Sequence, residues 1–380
     1  MNWPKASTED GLKLRLRYIL LLAPAIVLGL WLLSVSRPIR GGSDLLAMWS
    51  AAAVFRTGGN PYSATEVGAY QHEFVPHLGA TKILMYPPWT LPIFALFALL
   101  PFELILPIFL VGNAFLVGTL VLIFWPRDIV RPVVDKSLLI CGLPFYAAVL
   151  GLELGQISLL VIGCLVLVEA LIDRRHLFWA GLVAGLSLSK PQLAGLPLLY
   201  LTLRLPPSRL PRFLGGIGCM FIGLTGLSLL INRDLMSHFL SHHTPLDLFT
   251  PTMGTWLQYT LAPSGAGTGL RFLPFILGSV FIVVTARSKT ASVRTLAEDY
   301  YQIVFPLTLI SAPHVWVYDF VMLVPSILSI AKELTRRLLL LLFATALALT
   351  FGPSDMRYYV WYPISVFLVI LSARRSHACD

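Results

Sequence analysis

The sequence predicts an all-α polytopic membrane protein, and three observations lead to that fold class. Of the 380 residues, 57% are hydrophobic and only 12% are charged, and the mean hydropathy is +0.78. Soluble domains carry about 25% charged residues. Apolar runs near the roughly 20 residues that a bilayer-crossing helix needs recur from Arg17 to the Arg374-Arg375 pair. The basic residues behind the net charge of +9 fall between these runs, so a lipid bilayer, and no nucleic acid, is the expected partner.

We predict about 12 membrane passes in one domain over residues 1–380. Basic loops indicate that both tails, 1–16 and 374–380, are cytoplasmic and that the chain lies in the cell (inner) membrane. The first span follows several basic residues but lacks a clean small-x-small cleavage site, so it is an uncleaved signal anchor. The predicted spans are 17–36, 103–125, 137–151, 155–173, 177–204, 211–231, 269–286, 299–312, 315–330, 337–352 and 357–373.

One stretch leaves two topologies open. The segment 177–204 is long for one span and short for two, and basic loops enclose it on both sides. Either it is a broken hairpin that turns near Ser189-Lys190-Pro191, or it is a single helix with Arg174-Arg175 facing outward. In the hairpin topology, the short apolar run 86–100 becomes a re-entrant piece instead of an additional pass.

Two regions, 37–86 and 232–268, are long enough to be functional extracytoplasmic loops. In the first, apolar residues from Asp44 to Phe55 recur at helical spacing, which predicts an interfacial amphipathic helix lying on the bundle. Thr57-Gly58-Gly59 would end this helix. The pair Gly181 and Gly185, and the glycines at 215, 216 and 218, are typical of surfaces where neighbouring helices pack closely.

Asp44 sits directly after the first predicted span, at the mouth of the bundle. As a helix N-cap it would accept backbone N–H bonds and complement the helix dipole. As a carboxylate that solvent can reach, it would serve as a general base toward a sugar hydroxyl. The two roles are compatible, and a carboxylate at this place is costly unless it interacts with something.

Two further polar interruptions occur inside apolar runs. Lys190 precedes Pro191, which breaks the helix there. Its ammonium either snorkels toward a helix end or faces a cavity, where a lipid-linked phosphate is its natural partner. Glu153 and Gln156 interrupt another run, either as a simple helix break or as part of a polar site.

The segment 311–319 links two short apolar spans and contains His314, Trp316, Tyr318 and Asp319. An interfacial aromatic belt explains Trp316 and Tyr318, but it explains His314 and Asp319 poorly. If the next helix begins just before His314, then His314 and Tyr318 share one face of it. This segment therefore belongs to the candidate site.

Neither a metal, a cofactor nor ATP chemistry is expected. His238, His242 and His243 precede Asp247, but no cysteine or second carboxylate completes a ligand set. The four cysteines show no paired spacing, so neither a disulfide framework nor a zinc site is indicated. Because no Walker loop, dinucleotide fingerprint, serine elbow or zinc-protease motif occurs, ATP-driven pumping has no support.

Several short motifs follow one another along the chain, and together they carry a resemblance. Because these motifs occur in a particular order, the sequence resembles the lipid-linked-sugar glycosyltransferases of the GT-C superfamily, specifically glycosyltransferase family 87. That family includes polyprenol-phosphate-mannose-dependent α-mannosyltransferases. The motifs are Asp44 after the first span, Gly58-Gly59-Asn60-Pro61-Tyr62, Tyr86-Pro87-Pro88, Gly155-Gln156, Ala180-Gly181 leading to Lys190-Pro191, and Pro313-His314 with Trp316.

The resemblance implies a GT-C-type helix bundle with its catalytic pocket on the outer side, beneath a first loop that carries interfacial helices. It implies inverting transfer of a hexose, with mannose expected, from a polyprenyl-phosphate donor to an extracytoplasmic glycolipid or glycan acceptor. By position Asp44 is the candidate base, and Lys190 and His314 are candidates to neutralise the departing phosphate. A fixed cation can replace the metal of nucleotide-sugar enzymes, in keeping with the lack of a DxD motif.

Other residues of the motifs are candidates for binding substrate. Many GT-C families carry two acidic residues in the first loop, whereas Asp44 stands alone here, with Glu66 or Glu73 as possible assistants. The candidate substrate-binding residues are Asn60, Tyr62, Tyr86, Gln156, Trp316 and Asp319.

Two other function classes remain open at this point. A lipid-linked glycan flippase or other transporter would show polar residues at mid-membrane and internally repeated halves, and no repeat is evident. A glycan polymerase or ligase would use similar lipid-linked sugars and differ mainly in its acceptor.

Overall fold

The computed structural model describes residues 43–74, 80–125, 132–241, 249–262, 267–287, 296–352 and 355–376. Within these ranges every regular element is helical, which confirms the all-α prediction for this part of the chain. The predicted signal anchor at 17–36 lies outside the described residues, as do His242, His243 and Asp247.

The first ten helices form the part of the bundle that precedes the second long loop. A 3-10 turn, Pro88–Thr90, leads into the third of them. They are α1 (Ser43–Arg56), α2 (Ala64–Phe74), α3 (Leu91–Phe97), α4 (Phe102–Phe124), α5 (Val133–Cys141), α6 (Phe145–Leu154), α7 (Ser158–Asp173), α8 (Leu177–Ser187), α9 (Pro191–Arg204) and α10 (Leu210–Ile231).

The remaining helices include several that begin with a 3-10 turn or change their winding. Turns of 3-10 helix precede α13, α16 and α18 at Thr268–Phe272, Val317–Met322 and Met356–Val360, and a π-helical turn, Tyr300–Val304, joins α14 to α15. The helices are α11 (Leu235–Ser241), α12 (Met253–Leu261), α13 (Leu273–Arg287), α14 (Leu296–Asp299), α15 (Phe305–Ser311), α16 (Leu323–Ser329), α17 (Arg336–Phe351) and α18 (Trp361–Ser376).

Fewer helices than predicted are long enough to cross a bilayer. Within the described ranges, three helical stretches have the length and apolar composition for it: Phe102–Phe124, Leu210–Ile231 and Thr268–Arg287. The pair α5 and α6, bent by 41°, adds a fourth if it is one span. Helices such as α7 and α17, with 16 residues each, measure only about 24 Å against a hydrocarbon core of about 30 Å. The prediction of about 12 passes is therefore not confirmed.

The segment 177–204 is broken, as one of its two predicted topologies requires. Helix α8 ends at Ser187 and α9 begins at Pro191, whose ring fits the first turn of a helix but cannot continue a preceding one. Arg175, just before α8, and Arg204, at the end of α9, line the same cavity. The start of α8 and the end of α9 therefore lie beside the same cavity, and the chain reverses direction at Lys190, as the predicted hairpin requires. The 11 residues of α8 span about 16 Å, which separates the turn at Lys190 from that cavity.

The two ends of the bundle differ in charge. Arg175, Arg204 and Arg209 meet around one cavity, and nearby Arg374 at the end of α18 pairs with Asp299 at 2.7 Å. Helices α7, α8 and α9 run from this basic end to Ser158 and Lys190 at the opposite end. The predicted clustering of basic loops on one side is consistent with this arrangement.

Helix α1 is present, but it is enclosed instead of lying on the bundle as an interfacial helix. Its side chains are buried on all faces, from Leu45 to Ala52 and again at Val54 and Phe55. Even Ser50 is buried, where its hydroxyl donates to the Leu46 carbonyl at 2.7 Å. Helical spacing of apolar residues predicted the helix correctly, but the alanines and serine between them are small enough for neighbouring helices to cover those faces too.

Small residues bring α8 and α10 into contact, as the glycine pattern predicts. A Cβ on Gly181 would lie 2.1 Å from the Phe213 carbonyl oxygen and 2.8 Å from the Cα of Gly216. Glycines 215 and 218 have open space where a Cβ would be, so only part of the predicted glycine surface is used. This packing fixes the first arm of the hairpin that carries Lys190.

Candidate active site

Lys190 lies at the turn of the hairpin, where the helix break places its side chain inside the protein. The residue is only 3% exposed. Its ammonium Nζ is 2.7 Å from Asp319 Oδ1 and 2.8 Å from Ser158 Oγ, and it lies 4.7 Å from the centre of the Tyr318 ring. Of the two roles predicted for Lys190, snorkelling is ruled out by these contacts, because the ammonium points to buried partners.

Asp319 is the fixed counter-ion of Lys190. The Ser158 hydroxyl donates to its Oδ1 at 2.6 Å, and the backbone N–H of Trp316 donates to its Oδ2 at 2.9 Å. The carboxylate is therefore saturated by one ion pair and two hydrogen bonds, in a place with almost no solvent exposure. Such saturation is what allows a buried charge pair to persist. The predicted role of Asp319 in binding substrate stays a prediction.

A second polar chain begins at Asp44, in the first turn of α1. Gly155 adopts a left-handed backbone, with φ of 70°, which ends α6 and turns Gln156 toward α1. The Gln156 side-chain amide donates to Asp44 Oδ2, and its carbonyl accepts from the Tyr86 hydroxyl at 3.0 Å. The Tyr62 hydroxyl donates to the Tyr86 backbone carbonyl at 2.9 Å. The structure thus brings four of the predicted site residues into one hydrogen-bonded row.

The two polar groups are neighbours. Gln156 and Ser158 stand two residues apart in the turn that opens α7, so Asp44 and Lys190 approach the same turn from different elements. Burial raises the pKa of Asp44 above its ordinary value of 3.8, while the hydrogen bond from Gln156 and the positive charge of Lys190 act to lower it. Asp44 is therefore half-buried, and the charge of Lys190 acts on it.

His314 borders this cluster through the aromatic residues beside Asp319. Its Nε2 accepts from the Trp316 indole N–H at 3.0 Å, and the Trp316 ring stacks near Tyr318. Burial lowers the pKa of His314 to about 4, and the positive charges of Arg271 and Lys190 act in the same direction. The ring is thus neutral at pH 7 with its proton on Nδ1. Its Nδ1–H can donate a hydrogen bond to a phosphate, and the predicted role of His314 in neutralising that phosphate stays a prediction.

The geometry of the loop before Asp319 differs from one prediction. The helix that follows His314 begins at Val317 and not at Pro313, so His314 and Tyr318 do not share a helical face. The reason lies in Asp319, whose carboxylate binds the Trp316 N–H and thereby caps the helix at that later position. His314 is held instead by the indole of Trp316.

The Gly58–Tyr62 motif builds the loop instead of lining the cluster. Asn60 accepts the Tyr62 backbone N–H on its side-chain oxygen at 3.0 Å, and the Asn60 N–H donates to Glu66 Oε2 at 2.9 Å. The Asn232 side chain donates to the carbonyls of both glycines, which ties the first loop to the start of the second. Glu66 is therefore occupied within this turn, which weakens its case as an assisting acid.

Two residues that sequence reasoning did not single out, Ser158 and Arg271, belong to the cluster or its border. Ser158 bridges Lys190 and Asp319, and Tyr318 lies beneath the ammonium. Arg271 is 1% exposed and stands in the 3-10 turn before α13, where Gly254 packs against its carbonyl oxygen. A charge at the start of an apolar run is a signal that could have identified Arg271.

Two described cavities lie away from this cluster. One, of about 430 Å³, is at the basic end. The other, of about 400 Å³, lies beside the end of α1 and is lined by Trp49, Arg56, Tyr70 and Glu73 among others. Glu73, the second candidate assistant, thus faces a different space from Asp44.

Comparison with known proteins adds one match. A family model described as Glycosyltransferase family 87 matches residues 84–351, which is well over half of the chain. The matched range contains Tyr86, Gln156, Lys190, His314 and Asp319 and begins after Asp44. No curated protein and no solved structure matches the chain.

Proposed function

The chain belongs to glycosyltransferase family 87, and from that premise we propose what it transfers and how. It is a membrane-associated glycosyltransferase that acts on a sugar donor and an acceptor. We propose that the donor is a polyprenyl-phosphate hexose, with mannose the expected sugar. The acceptor is an extracytoplasmic glycolipid or glycan, and the transfer inverts the anomeric carbon. The observation that carries this proposal is the half-buried Asp44 carboxylate, which accepts a hydrogen bond from Gln156 and lies within range of the positive charge of Lys190.

Asp44 is the proposed general base. As the acceptor oxygen attacks the anomeric carbon, its proton passes to the carboxylate, and the bond from that carbon to the phosphate oxygen breaks. The electron pair of the broken bond leaves on the polyprenyl phosphate. A base is most effective when its pKa approaches the working pH, and burial moves Asp44 in that direction. Gln156 donates to Oδ2 of Asp44, and the Ser43 hydroxyl donates to Oδ1 at 3.3 Å, so an acceptor hydroxyl would replace the longer Ser43 contact.

The departing phosphate needs positive charge or hydrogen-bond donors on the opposite side of the sugar. The candidates are His314 through its Nδ1–H, Lys190, and in addition Arg271, whose charge is felt at His314. Two contacts of the Lys190 ammonium are already made to Asp319 and Ser158, so Lys190 would act mainly as a fixed positive field. Arg271 brings a planar guanidinium, which suits phosphate better than a point charge does.

The difference in charge between the two ends of the bundle supports the proposed membrane side and donor class. Basic residues gather at the cavity that Arg175 lines, and the positive-inside rule places such an end in the cytoplasm. The Asp44 cluster is at the other end of α7 and α8, which supports an extracytoplasmic site. Nucleotide sugars are cytoplasmic, whereas lipid-linked sugars can be presented on the outer side.

The test is transfer in proteoliposomes that contain the purified protein, a polyprenyl-phosphate sugar and a lipid extract as the acceptor source. Asp44→Asn keeps the hydrogen bond from Gln156 but cannot take a proton, so we expect the rate to fall by about 10²–10⁴-fold. Glu73→Gln is the matched control, because it removes an exposed carboxylate from the same loop and should transfer normally. Full activity of Asp44→Asn would refute the assignment of the base. Transfer from a nucleotide sugar alone would refute the donor class.

A further inference from the structure

The basic cavity at the end of the bundle opposite Asp44 has no part in the proposed transfer. It measures about 430 Å³, which is within the usual range for small-ligand sites. Three arginines, Arg175, Arg204 and Arg209, contribute to its walls, and Asp173 is the one acidic residue among its lining residues. Three positive charges against one negative leave a formal charge of +2, so the cavity is suited to an anion.

These three guanidiniums are not used by the fold. Among the described residues, none of the three makes an ion pair or a side-chain hydrogen bond. Arg374, close to the same end, is instead paired with Asp299 at 2.7 Å. Three guanidiniums, each with five N–H donors in a fixed planar arrangement, are therefore available around this cavity.

The backbone conformation of Arg175 is a second observation that supports an anion site. Its φ is 63°, the left-handed conformation, in the turn that joins α7 to α8. Glycine is the usual residue at such a helix end, because a Cβ makes the left-handed conformation unfavourable. Local stability thus favours glycine, and the geometry of the turn does not explain an arginine at this position.

The surroundings select the class of anion. Ala286 in the last turn of α13 lines the cavity, and α13 belongs to a helical stretch long and apolar enough to cross a bilayer. Its outer face is exposed and apolar, at Leu277, Val280 and Val284 among others. A cavity at the end of such a helix lies at the depth of lipid headgroups, and acyl chains can lie along the exposed face.

We propose that this cavity binds the phosphate group of an anionic membrane phospholipid, with the guanidiniums of Arg175, Arg204 and Arg209 as its donors. Charge-assisted, forked hydrogen bonds from arginine to phosphate supply the affinity. The acyl chains lie on the apolar face of α13. The site is independent of the sugar-transfer site, because the two lie at opposite ends of α8.

The experiment uses the full-length protein in a neutral detergent and measures bound lipid by native mass spectrometry. Phosphatidylglycerol, phosphatidylcholine and inorganic phosphate are added separately at matched concentrations. We expect phosphatidylglycerol to bind at least about tenfold more tightly than phosphatidylcholine, which carries the same phosphate but no net charge. Equal binding of the two lipids would overturn the proposal. Full displacement of phosphatidylglycerol by millimolar inorganic phosphate would refute the proposal that the ligand is a lipid and would indicate a site for soluble phosphate.

Variants of the arginines locate the site. Arg175→Gly removes one guanidinium while it relaxes the turn, so the lipid-free protein should be at least as heat-stable as wild type and still lose about tenfold in lipid affinity. Arg204→Gln combined with Arg209→Gln should abolish the preference for phosphatidylglycerol. Arg212→Gln is the control, since it removes an exposed charge from the first turn of α10, near Arg209 but outside the cavity. Unchanged binding in the first two variants would refute the site.

Discussion

The Lys190–Asp319 pair predicts an unusual pattern of stability changes. Asp319→Asn keeps the size of the side chain but removes its charge, so the ammonium of Lys190 stays buried without a counter-ion. Lys190→Met leaves the Asp319 carboxylate with hydrogen bonds from Ser158 and from the Trp316 N–H only. The paired side chains are 4% and 1% exposed. Removing one partner of a buried ion pair costs about 3–5 kcal/mol.

This energy converts into a measurable shift of the melting temperature. Unfolding entropy averages about 2.1 cal/mol/K per residue, or about 0.8 kcal/mol/K for a chain of 380 residues. Each single variant should therefore melt about 4–6 °C below wild type. The double variant Lys190→Met/Asp319→Leu buries no charge, so it should be more stable than either single variant.

The assay is the loss of the monodisperse size-exclusion peak of detergent-solubilised protein after heating at graded temperatures. Arg336→Gln is the control, because its guanidinium is 69% exposed and its 3.7 Å pair with Asp135 contributes about 0–1 kcal/mol. If both single variants melted within about 1 °C of wild type, the pair would not be the buried, mutually dependent unit described above. Additive losses in the double variant would refute the reasoning equally.

Two further predictions concern the base and the packing of the hairpin. Gln156→Leu removes the hydrogen bond that lowers the pKa of Asp44, so the acid limb of the pH–rate profile should move to higher pH; a limb at unchanged pH would mean that Asp44 is not the titrating base. Gly181→Leu places its Cβ about where the Phe213 carbonyl lies, so folded protein should be lost, whereas Gly215→Leu points into open space and should accumulate normally. Equal yields of the two glycine variants, read by fluorescence-detected size exclusion, would contradict the close contact of α8 and α10.

Sequence patterns predicted much of the local structure and the residue types of the site. A proline directly after Lys190 cannot continue a helix, so the break in 177–204 was predictable from covalent chemistry. Asp44, Gln156 and Asp319 were conspicuous because carboxylates and amides are rare in apolar runs unless they have partners. All of them meet in the structure around the turn that opens α7.

The partners of those residues could not be predicted. Lys190 binds Asp319 across 129 residues of sequence, and no local pattern encodes which distant carboxylate a buried lysine meets. The same limit applies to His314, whose neutral state depends on burial and on the charge of Arg271. Pairing of distant residues is a property of the packed fold.

The number of spans is not confirmed among the described residues, and there is a physical reason for the difference. Hydropathy does not distinguish a helix that crosses the bilayer from a shorter one that is buried among other helices. Helix α16, with seven residues, is buried along its first six, although its sequence is as apolar as that of a span. Helix α1 is also buried among other helices, although its hydropathy alone does not show this. Length, together with burial, separates these cases, and burial is not visible in the sequence.

The most direct test of the central claim is a structure of the full-length protein with an unreactive polyprenyl-phosphate-sugar analogue and an acceptor. Our account predicts an acceptor hydroxyl about 3 Å from the Asp44 carboxylate. It places the phosphate on the opposite face of the anomeric carbon, toward His314 and Arg271. A sugar bound far from Asp44, or a phosphate on the same face as that carboxylate, would contradict the account.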